Sequence, residues 1–583
     1  MHSLVRLYRA LSLRRRRQLL LTLAVMLAGA VAELATIGAV LPFLAFLTRG
    51  GAAGMPATAA RWMSALGVDD VFSASLLLIA GAVAAAAIRL LLLWLTQRYV
   101  MAVSHDLATT LFGRMIRQPY ADYVKRSSSE ALASMEKVRD IAATALQPLM
   151  QGIVAAVLAL LIGLLLFAIS PLATLAAGLS IGAAYAAITF LTRARLHANS
   201  RILATAAMER TKMIQEALGG IRDIILDRSQ PLYDESFRTT DRRFRRAISV
   251  NAFISQGPRF VIEAAGIGTI ALIALVMSLR PGGIVHAIPV LGALALGSQR
   301  LLPLIQQAYQ GWSATASNLQ SIDDVAAALR MAVLPEPKES APLPFEHEVA
   351  FERVCFAYGG AGPAVRDVDL VIPRGSRIGI AGTTGSGKST LLDLLMGLLE
   401  PVSGGIKVDG RLLDAETRPR WQATLAHVPQ AIFLIDDSVA ANIAFGVADG
   451  GTDMDRVRSC ARAARIADFV ESLPDGYESR VGERGIRLSG GQRQRIGIAR
   501  ALYKGARVLI LDEATSALDD ETEAAVMRSI MALGGDITIV MIAHRRSTLH
   551  GCDRILRMEG GRIVETVEGM VAEEGLEPPT RGL

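Results

Sequence analysis

The run Gly382-Thr383-Thr384-Gly385-Ser386-Gly387-Lys388-Ser389 settles what the C-terminal half of this 583-residue chain must contain. It satisfies G-x-x-x-x-G-K-[ST], and its flanks matter as much as its letters. Arg377 to Ala381 alternates like a strand, and the leucine-rich segment from Leu391 has helical character. Strand, glycine loop and helix in that order turn backbone N–H groups toward phosphate oxygens at a helix's positive end. Lys388 is then within reach of β- and γ-phosphates. Ser389, with Thr390 beside it on the first helical turn, offers a hydroxyl to Mg2+, an ion that prefers oxygen ligands and keeps several waters.

Moving outward, Val508-Leu509-Ile510-Leu511 is a continuous apolar run, the pattern of a strand buried on both faces, and it ends in Asp512 and Glu513. An aspartate at the carboxyl end of such a strand suits the magnesium shell. The glutamate after it suits a general base that polarises an attacking water. Two carboxylates after a strand also commonly begin a turn, and it is the phosphate loop upstream that favours the catalytic reading.

Between these elements stands Leu488-Ser489-Gly490-Gly491-Gln492, followed by Arg493, Gln494 and Arg495. Paired glycines let backbone approach a phosphate, Ser489 offers a hydroxyl, and the helix beyond presents its positive end. The pentapeptide resembles the signature motif of the ABC family. With the two elements above, residues 347–568 resemble an ABC nucleotide-binding domain, an α/β P-loop NTPase fold that takes ATP and Mg2+. The resemblance implies that Tyr358 stacks on adenine, that the phosphate loop from Gly382 to Thr390 holds the phosphates, and that Asp519 in Ser516-Ala517-Leu518-Asp519 belongs to the D-loop. It further implies nucleotide contacts from Ser489, Gly490, Gly491 and Gln492. Gly482-Glu483-Arg484-Gly485 is similar to the X-loop of exporters. Gln430, after Val428-Pro429, resembles the Q-loop glutamine that senses Mg2+ and contacts the membrane domain, and His544 resembles the switch histidine on the γ-phosphate. Catalysis would then fall to Glu513, His544 and Gln430, and Mg2+ to Ser389, Gln430 and Asp512. In the family, the loop of one subunit and the signature of another complete each ATP site, so one of each per chain implies a homodimer.

Upstream the composition changes. The chain is 52% hydrophobic and 20% charged, too apolar for an ordinary soluble protein and too charged for an all-membrane one, and its mean hydropathy is +0.38. Apolar runs predict six spans at roughly 19–47, 72–97, 142–169, 171–192, 252–279 and 284–310. The connections are unequal. Arg114, Arg117, Lys125 and Arg126 mark the second-to-third connection and Arg193, Arg195, Arg210 and Lys212 the fourth-to-fifth, both long and basic and therefore cytoplasmic. Arg14 to Arg17 precede the first span, and Arg242, Arg243, Arg245 and Arg246 the fifth. The turns at Ser170-Pro171 and Pro281-Gly282-Gly283 are short and nearly uncharged, as expected outside. This placement explains the net charge of +7 better than a nucleic-acid partner does. Cleaving the first span as a signal would leave an odd number of spans, which disfavours that reading.

The expected organisation is therefore an all-α, six-helix membrane domain of the ABC exporter type over 1–330 with long cytoplasmic helical extensions, a proline-rich linker over 331–346, the ATP-binding domain over 347–568 and a disordered tail over 569–583. Ile214, Leu218, Ile221 and Ile225 repeat at helical spacing in the fourth-to-fifth connection. Cys355, Cys460 and Cys552 show no metal-like pairing and read as reduced thiols. The implied setting is a multi-pass protein of a bacterial inner membrane with its ATPase in the cytoplasm.

Charges inside apolar spans are costly and so are candidates for function. Glu33, Arg89, Arg259, Glu263 and Arg300 lie in or near spans. Arg89, Arg259 and Arg300 could form a belt for a pyrophosphate headgroup, because the guanidinium fork matches phosphate geometry. Alternatively Arg259 pairs with Glu263 one turn on, and Arg89 snorkels to the interface. Glu33 followed by Gly38 and Leu41-Pro42-Phe43-Leu44, together with Arg300-Leu301-Leu302-Pro303, resembles the lipid-linked oligosaccharide flippases among the exporters. That likeness implies a lipid-linked, anionic cargo and a short external helix, for which Ala57 to Leu66 is the candidate. Lipid, drug or peptide cargo is the alternative. The arginines disfavour a drug cavity, and the absence of a peptidase extension before Arg14 disfavours peptide processing. A non-transporting ABC ATPase would not need the spans.

Overall fold

The computed structural model describes the backbone of all residues except 1–4, 7, 10, 48–70, 170, 279–282, 336–340, 360–361, 449, 516, 533–535, 544–548, 550 and 569–583. The chain divides into two compact units, Met1–Leu334 and Pro335–Leu583.

The first unit is helical: α1 (Leu13–Leu47), α2 (Val71–Ile116), α3 (Ser128–Ile141), α4 (Gln147–Ile169), α5 (Pro171–Gly219), α6 (Gln230–Gln256), α7 (Pro258–Ser278), α8 (Gly283–Ser317) and α9 (Leu319–Ala328). Helices with the length and hydropathy to cross a membrane run over Val71–Ile116, Ser128–Leu164 and Thr174–Gly219 among the described residues. The other expected spans run over residues whose side chains lie outside the description. Two helices continue far beyond the apolar runs that announced them. α2 reaches Ile116 and α5 reaches Gly219, because the polar stretches that follow are free of proline and keep good helix formers until Pro119 and the Gly219-Gly220 pair. The expected fifth span is broken. α6 ends at Gln256 and α7 starts at Pro258, whose ring removes an N–H and favours the first position of a helix.

Among the described residues α4 and α8 approach backbone to backbone at two glycines. A Cβ placed on Gly311 would lie 2.7 Å from the Pro148 carbonyl oxygen, and one on Gly152 would lie 3.1 Å from the Gly311 Cα. A π-turn at Ala142–Leu146 joins α3 to α4 just before this seam. Elsewhere the helices are tied by charge: Arg15 Nε meets Asp106 at 2.8 Å and Arg210 meets Asp241 at 3.2 Å. Ile214, Leu218, Ile221 and Ile225 are all exposed in the single chain.

The second unit holds two sheets. One is antiparallel, in the order β2 (Pro363–Pro373), β1 (Glu348–Ala357), β4 (Ser403–Val408), β5 (Arg411–Leu412). The other runs β10 (Arg562–Glu568), β9 (Arg554–Glu559), β3 (Arg377–Gly382), β8 (Thr538–Ile542), β7 (Val508–Asp512), β6 (Leu425–Val428). β3 is parallel to β8 and β9, and β7 to β6 and β8. The central strands are apolar along their length and buried, as a sheet covered on both faces requires. Helices α10 (Lys388–Leu395), α11 (Gly490–Lys504) and α12 (Asp520–Met531) frame the site below. The expected linker is not uniformly free chain. Leu343 and Phe345 are buried in this unit, Phe345 edge-on to the buried Trp421.

Candidate functional site

The carboxyl ends of β3 and β7, separated by β8, are where the charged and glycine-rich segments converge. β3 runs into Gly382, with φ at 154°, and Gly387 has φ at 101°. Both positions exclude side chains: a Cβ on Gly382 would stand 2.3 Å from the Met558 carbonyl oxygen, and one on Gly387 2.4 Å from that of Ala364. Gly387 opens α10 with no side chain capping its first N–H groups, which leaves them for an external acceptor. Inside the loop, Lys388 is buried and its Nζ donates to the Gly382 carbonyl at 2.9 Å and the Thr383 carbonyl at 3.0 Å. Ser386 Oγ is buried with no hydrogen-bond partner among the described residues. An orphaned hydroxyl, free helical N–H groups and an ammonium held only by loop carbonyls form a cradle suited to polyphosphate. Thr383, Thr384, Gly385 and Ser389 are exposed on its open side, whereas Thr390 is buried beneath.

β7 ends at Asp512, and Glu513 takes a left-handed φ of 49°, a strained conformation for a residue with a side chain. Gln430 Nε2 donates to Glu513 Oε2 at 2.6 Å, which brings together two residues 83 positions apart. A third carboxylate faces this corner that the sequence reading did not find. Asp393, on α10, has its pKa pushed up to about 6 by burial and then by the nearby Asp512 charge. No spacing rule marks it, since it sits within a leucine-rich helix.

The signature segment uses its polar residues on itself. Ser489 caps α11 by accepting from Gln492 N at 3.2 Å, while Ser489 N donates to Gln492 Oε1 at 2.7 Å, a reciprocal capping box. Gly491 lets this turn approach the loop after β7: an added Cβ would meet the Ala517 carbonyl at 3.1 Å. Gly490 faces the Ala517 methyl from a looser 3.4 Å. Buried Gln494 accepts from Ala517 N at 3.0 Å. Asp519 caps α12 by accepting from Thr522 N at 2.9 Å, and that bond holds its carboxyl below the usual range. The structure thus joins the signature and D-loop segments of one chain through backbone contacts. Tyr358 follows β1 with its ring edge-on to Phe356 at 5.0 Å. His544 lies outside the described residues.

Mg2+ calls for oxygen ligands, and the hydroxyl of Ser389, the amide of Gln430 and the carboxylate of Asp512 supply that chemistry. Among the described residues no group of three or more His, Cys, Asp or Glu could hold a metal ion. A nucleotide-borne Mg2+, which shares its shell with phosphates and water, does not need one.

In the helical unit, Arg259 is taken up by Glu263, Nε to Oε1 at 2.7 Å, the local pairing that its i, i+4 spacing allows. A cavity of about 320 Å³ beside it is lined by Arg259, Glu263, Tyr185, Gln306 and Gln310, and neither Arg89 nor Arg300 is on its wall. Arg89 Nε reaches back to the Ala85 carbonyl at 3.3 Å, and both Arg89 and Arg300 are exposed in the single chain. Glu33 and the segment Ala57 to Leu66 have no described side chains.

Two family profiles match the chain: that of the ABC transporter over residues 365–516 and that of the ABC transporter transmembrane region over residues 39–280. An ATP-dependent lipid A-core flippase of Methylococcus capsulatus is 37% identical over 332 residues, covering 56% of this chain and 53% of its own. A protein of the same description from Burkholderia pseudomallei is 33% identical over 387 residues, covering 64% and 62%, and one from Ralstonia nicotianae is 46% identical over 220 residues, 37% of each chain. These matches span about a third to two thirds of the relatives' length. The fold is shared with a bacterial Atm1-family ABC exporter solved with ATP bound, at a TM-score of 0.74 and 24% identity over 95% of both chains.

Proposed function

From a chain that belongs to the ABC transporters and joins their transmembrane region to their ATP-binding domain in the exporter fold, we propose that two copies couple MgATP binding and hydrolysis to moving an anionic, lipid-linked glycan between bilayer leaflets. The observation that supports this most is the loop between β3 and α10, where Lys388 rests on carbonyls and Ser386 Oγ has no hydrogen-bond partner among the described residues. When ATP enters, Lys388 exchanges the carbonyls of Gly382 and Thr383 for the β- and γ-phosphates, and the N–H groups opening α10 take the β-phosphate. Tyr358 stacks on the base.

Bound Mg2+ supplies charge neutralisation between the phosphates, and Ser389, Gln430 and Asp512 would hold it. Glu513 accepts the proton of the attacking water, oriented by its amide neighbour Gln430, and His544 contacts the γ-phosphate. Ser489, Gly490, Gly491 and the N–H groups of α11 close the site of the second copy, with Gln492 holding the turn and Asp519 beside it. Binding clamps the two ATP-binding domains together and hydrolysis releases them. The segments Tyr120–Tyr123 and Asp227–Tyr233 pass that movement to the helices of an inner-membrane protein whose ATPase faces the cytoplasm.

The relatives' description as lipid A-core flippases supports an anionic glycolipid as the cargo class, with Arg89, Arg259 and Arg300 as its cationic contacts. The test is transport in proteoliposomes, with fluorescent polyprenyl-pyrophosphate glycan and fluorescent lipid A-core as cargoes and Glu513→Gln as control. ATP-dependent movement of either cargo that vanishes in the control supports the function. Movement of neutral phospholipid alone rejects the cargo class. Full transport by an Arg89→Ala, Arg300→Ala double variant removes the arginine belt.

A further inference from the structure

A cleft of about 540 Å³ opens between α5 and α6 of the helical unit. Its rim carries Arg195 and Arg201 from α5 and Arg243 and Arg246 from α6, against the single acidic residue Glu209. Ala206, Ala247 and Asn199 are buried at its wall, Asn199 donating to Asn251 at 2.7 Å. The neighbouring arginines are accounted for. Arg210 and Arg245 share Asp241, and Arg210 also lies over Phe237 and Phe244. Arg195, Arg201, Arg243 and Arg246 form no ion pair among the described residues. A row of arginines that merely fixes topology has no need of a concave wall, and Asp241 on α6 is already engaged by Arg210 and Arg245.

Depth supplies the second argument. Arg195 lies 24 residues beyond Pro171 on the unbroken α5, about 36 Å at ~1.5 Å per residue, just past a hydrocarbon core of about 30 Å. From there the cleft continues to Glu209, up to four turns further from the bilayer. Its upper rim is therefore level with lipid phosphates, and its lower part with whatever polar group those phosphates carry. Planar guanidinium groups are matched to doubly charged phosphates.

We propose that this cleft is a capture site for the phosphate-bearing headgroup of a lipid in the cytoplasmic leaflet, occupied before the cargo enters the helical bundle. The proposal rests on α5 spanning the membrane, and it does not depend on Arg89, Arg259 or Arg300.

The test is lipid retention without nucleotide. The full-length protein is placed in phosphatidylcholine nanodiscs with or without phosphatidic acid, released, and its bound lipids are counted by native mass spectrometry. Wild type is expected to retain phosphatidic acid, and Arg195→Gln with Arg246→Gln to retain it about tenfold less or weaker still. Arg193→Gln with Arg242→Gln, which removes the same charge outside the cleft, is expected to retain it as wild type does. Equal losses in the two double variants would show diffuse surface charge and overturn the site. Displacement of the lipid by dissolved inorganic pyrophosphate at equal concentration would assign the cleft to soluble anions and overturn the lipid reading. Should the arginine variant misfold, Ile202→Trp narrows the cleft with every arginine in place, and unchanged retention there also counts against the proposal. Because no ATP is present, a failed transport assay leaves this result standing, and failed retention with intact transport removes only the cleft.

Discussion

Around β3 and β7 several charged and polar groups are held by backbone, whereas in the helical unit several arginines are held by carboxylates of other side chains. Lys388 is bound by two carbonyls, Gln494 by Ala517 N–H and Asp519 by Thr522 N–H. Arg15 is bound by Asp106, Arg210 by Asp241 and Arg259 by Glu263. A site made of backbone must admit backbone, and it does so through glycines at fixed spacing. A site made of side chains can draw each partner from anywhere in the chain. The first arrangement writes itself into a short motif; the second leaves no local trace.

That contrast can be broken most severely at Gly387. With φ at 101° and the Ala364 carbonyl 2.4 Å from any added Cβ, Gly387→Val is expected to abolish ATP turnover, as is Lys388→Ala, both read by phosphate release from purified protein. Wild-type hydrolysis in either would contradict the backbone account. Next comes Glu513→Gln, which removes the proposed base while keeping an acceptor for Gln430. Turnover should fall by roughly a hundredfold to ten-thousandfold with ATP binding retained, as equilibrium nucleotide binding would register.

The helical unit has a backbone-built contact of its own at Gly152 and Gly311, and it sharpens the comparison. Gly311→Leu must force α4 from α8, at a cost of about 1–3 kcal/mol or more, so the melting temperature in detergent should drop. Arg259→Gln, by contrast, loses only an exposed local pair, and its melting temperature should match wild type.

A smaller effect concerns pH. The Asp393 carboxyl, ordinarily near 3.8, is raised to about 6 in the fold. Its raised value favours the folded state fully below pH 3.8, and that contribution disappears as pH climbs through about 6. Asp393→Asn should therefore stabilise the nucleotide-free protein at pH 7, by on the order of 1 kcal/mol once solvent screening is allowed for, and flatten the melting temperature between those two values. A variant that melts with the wild-type pH slope would show that Asp393 is not the titrating group.

The same division explains what could be read from the amino acids. The phosphate loop, the buried strand before Asp512 and the signature segment were legible because each is a backbone requirement stated within eight residues. The helical nature of the first unit was legible from its apolar runs, and its helix ends were not. Hydropathy stops at Leu191 while α5 continues to Gly219, since helix formation requires neither apolar residues nor a membrane. The break at Gly257-Pro258 was written in the proline but masked by the apolar run around it. Asp393 was illegible because its significance comes from Asp512, more than a hundred residues away. Arg195, Arg243 and Arg246 were noticed only as markers of sidedness; that they share one wall follows from the pairing of α5 with α6.

The two carbonyls that hold Lys388 also bear on which anions the loop favours. Its ammonium already has two good acceptors, so a lone phosphate must displace them and gains little by the exchange. A triphosphate engages the loop's N–H groups at the same moment and can evict the carbonyls as one cooperative event. A loop built this way favours a ligand long enough to grip it at several points over a small anion.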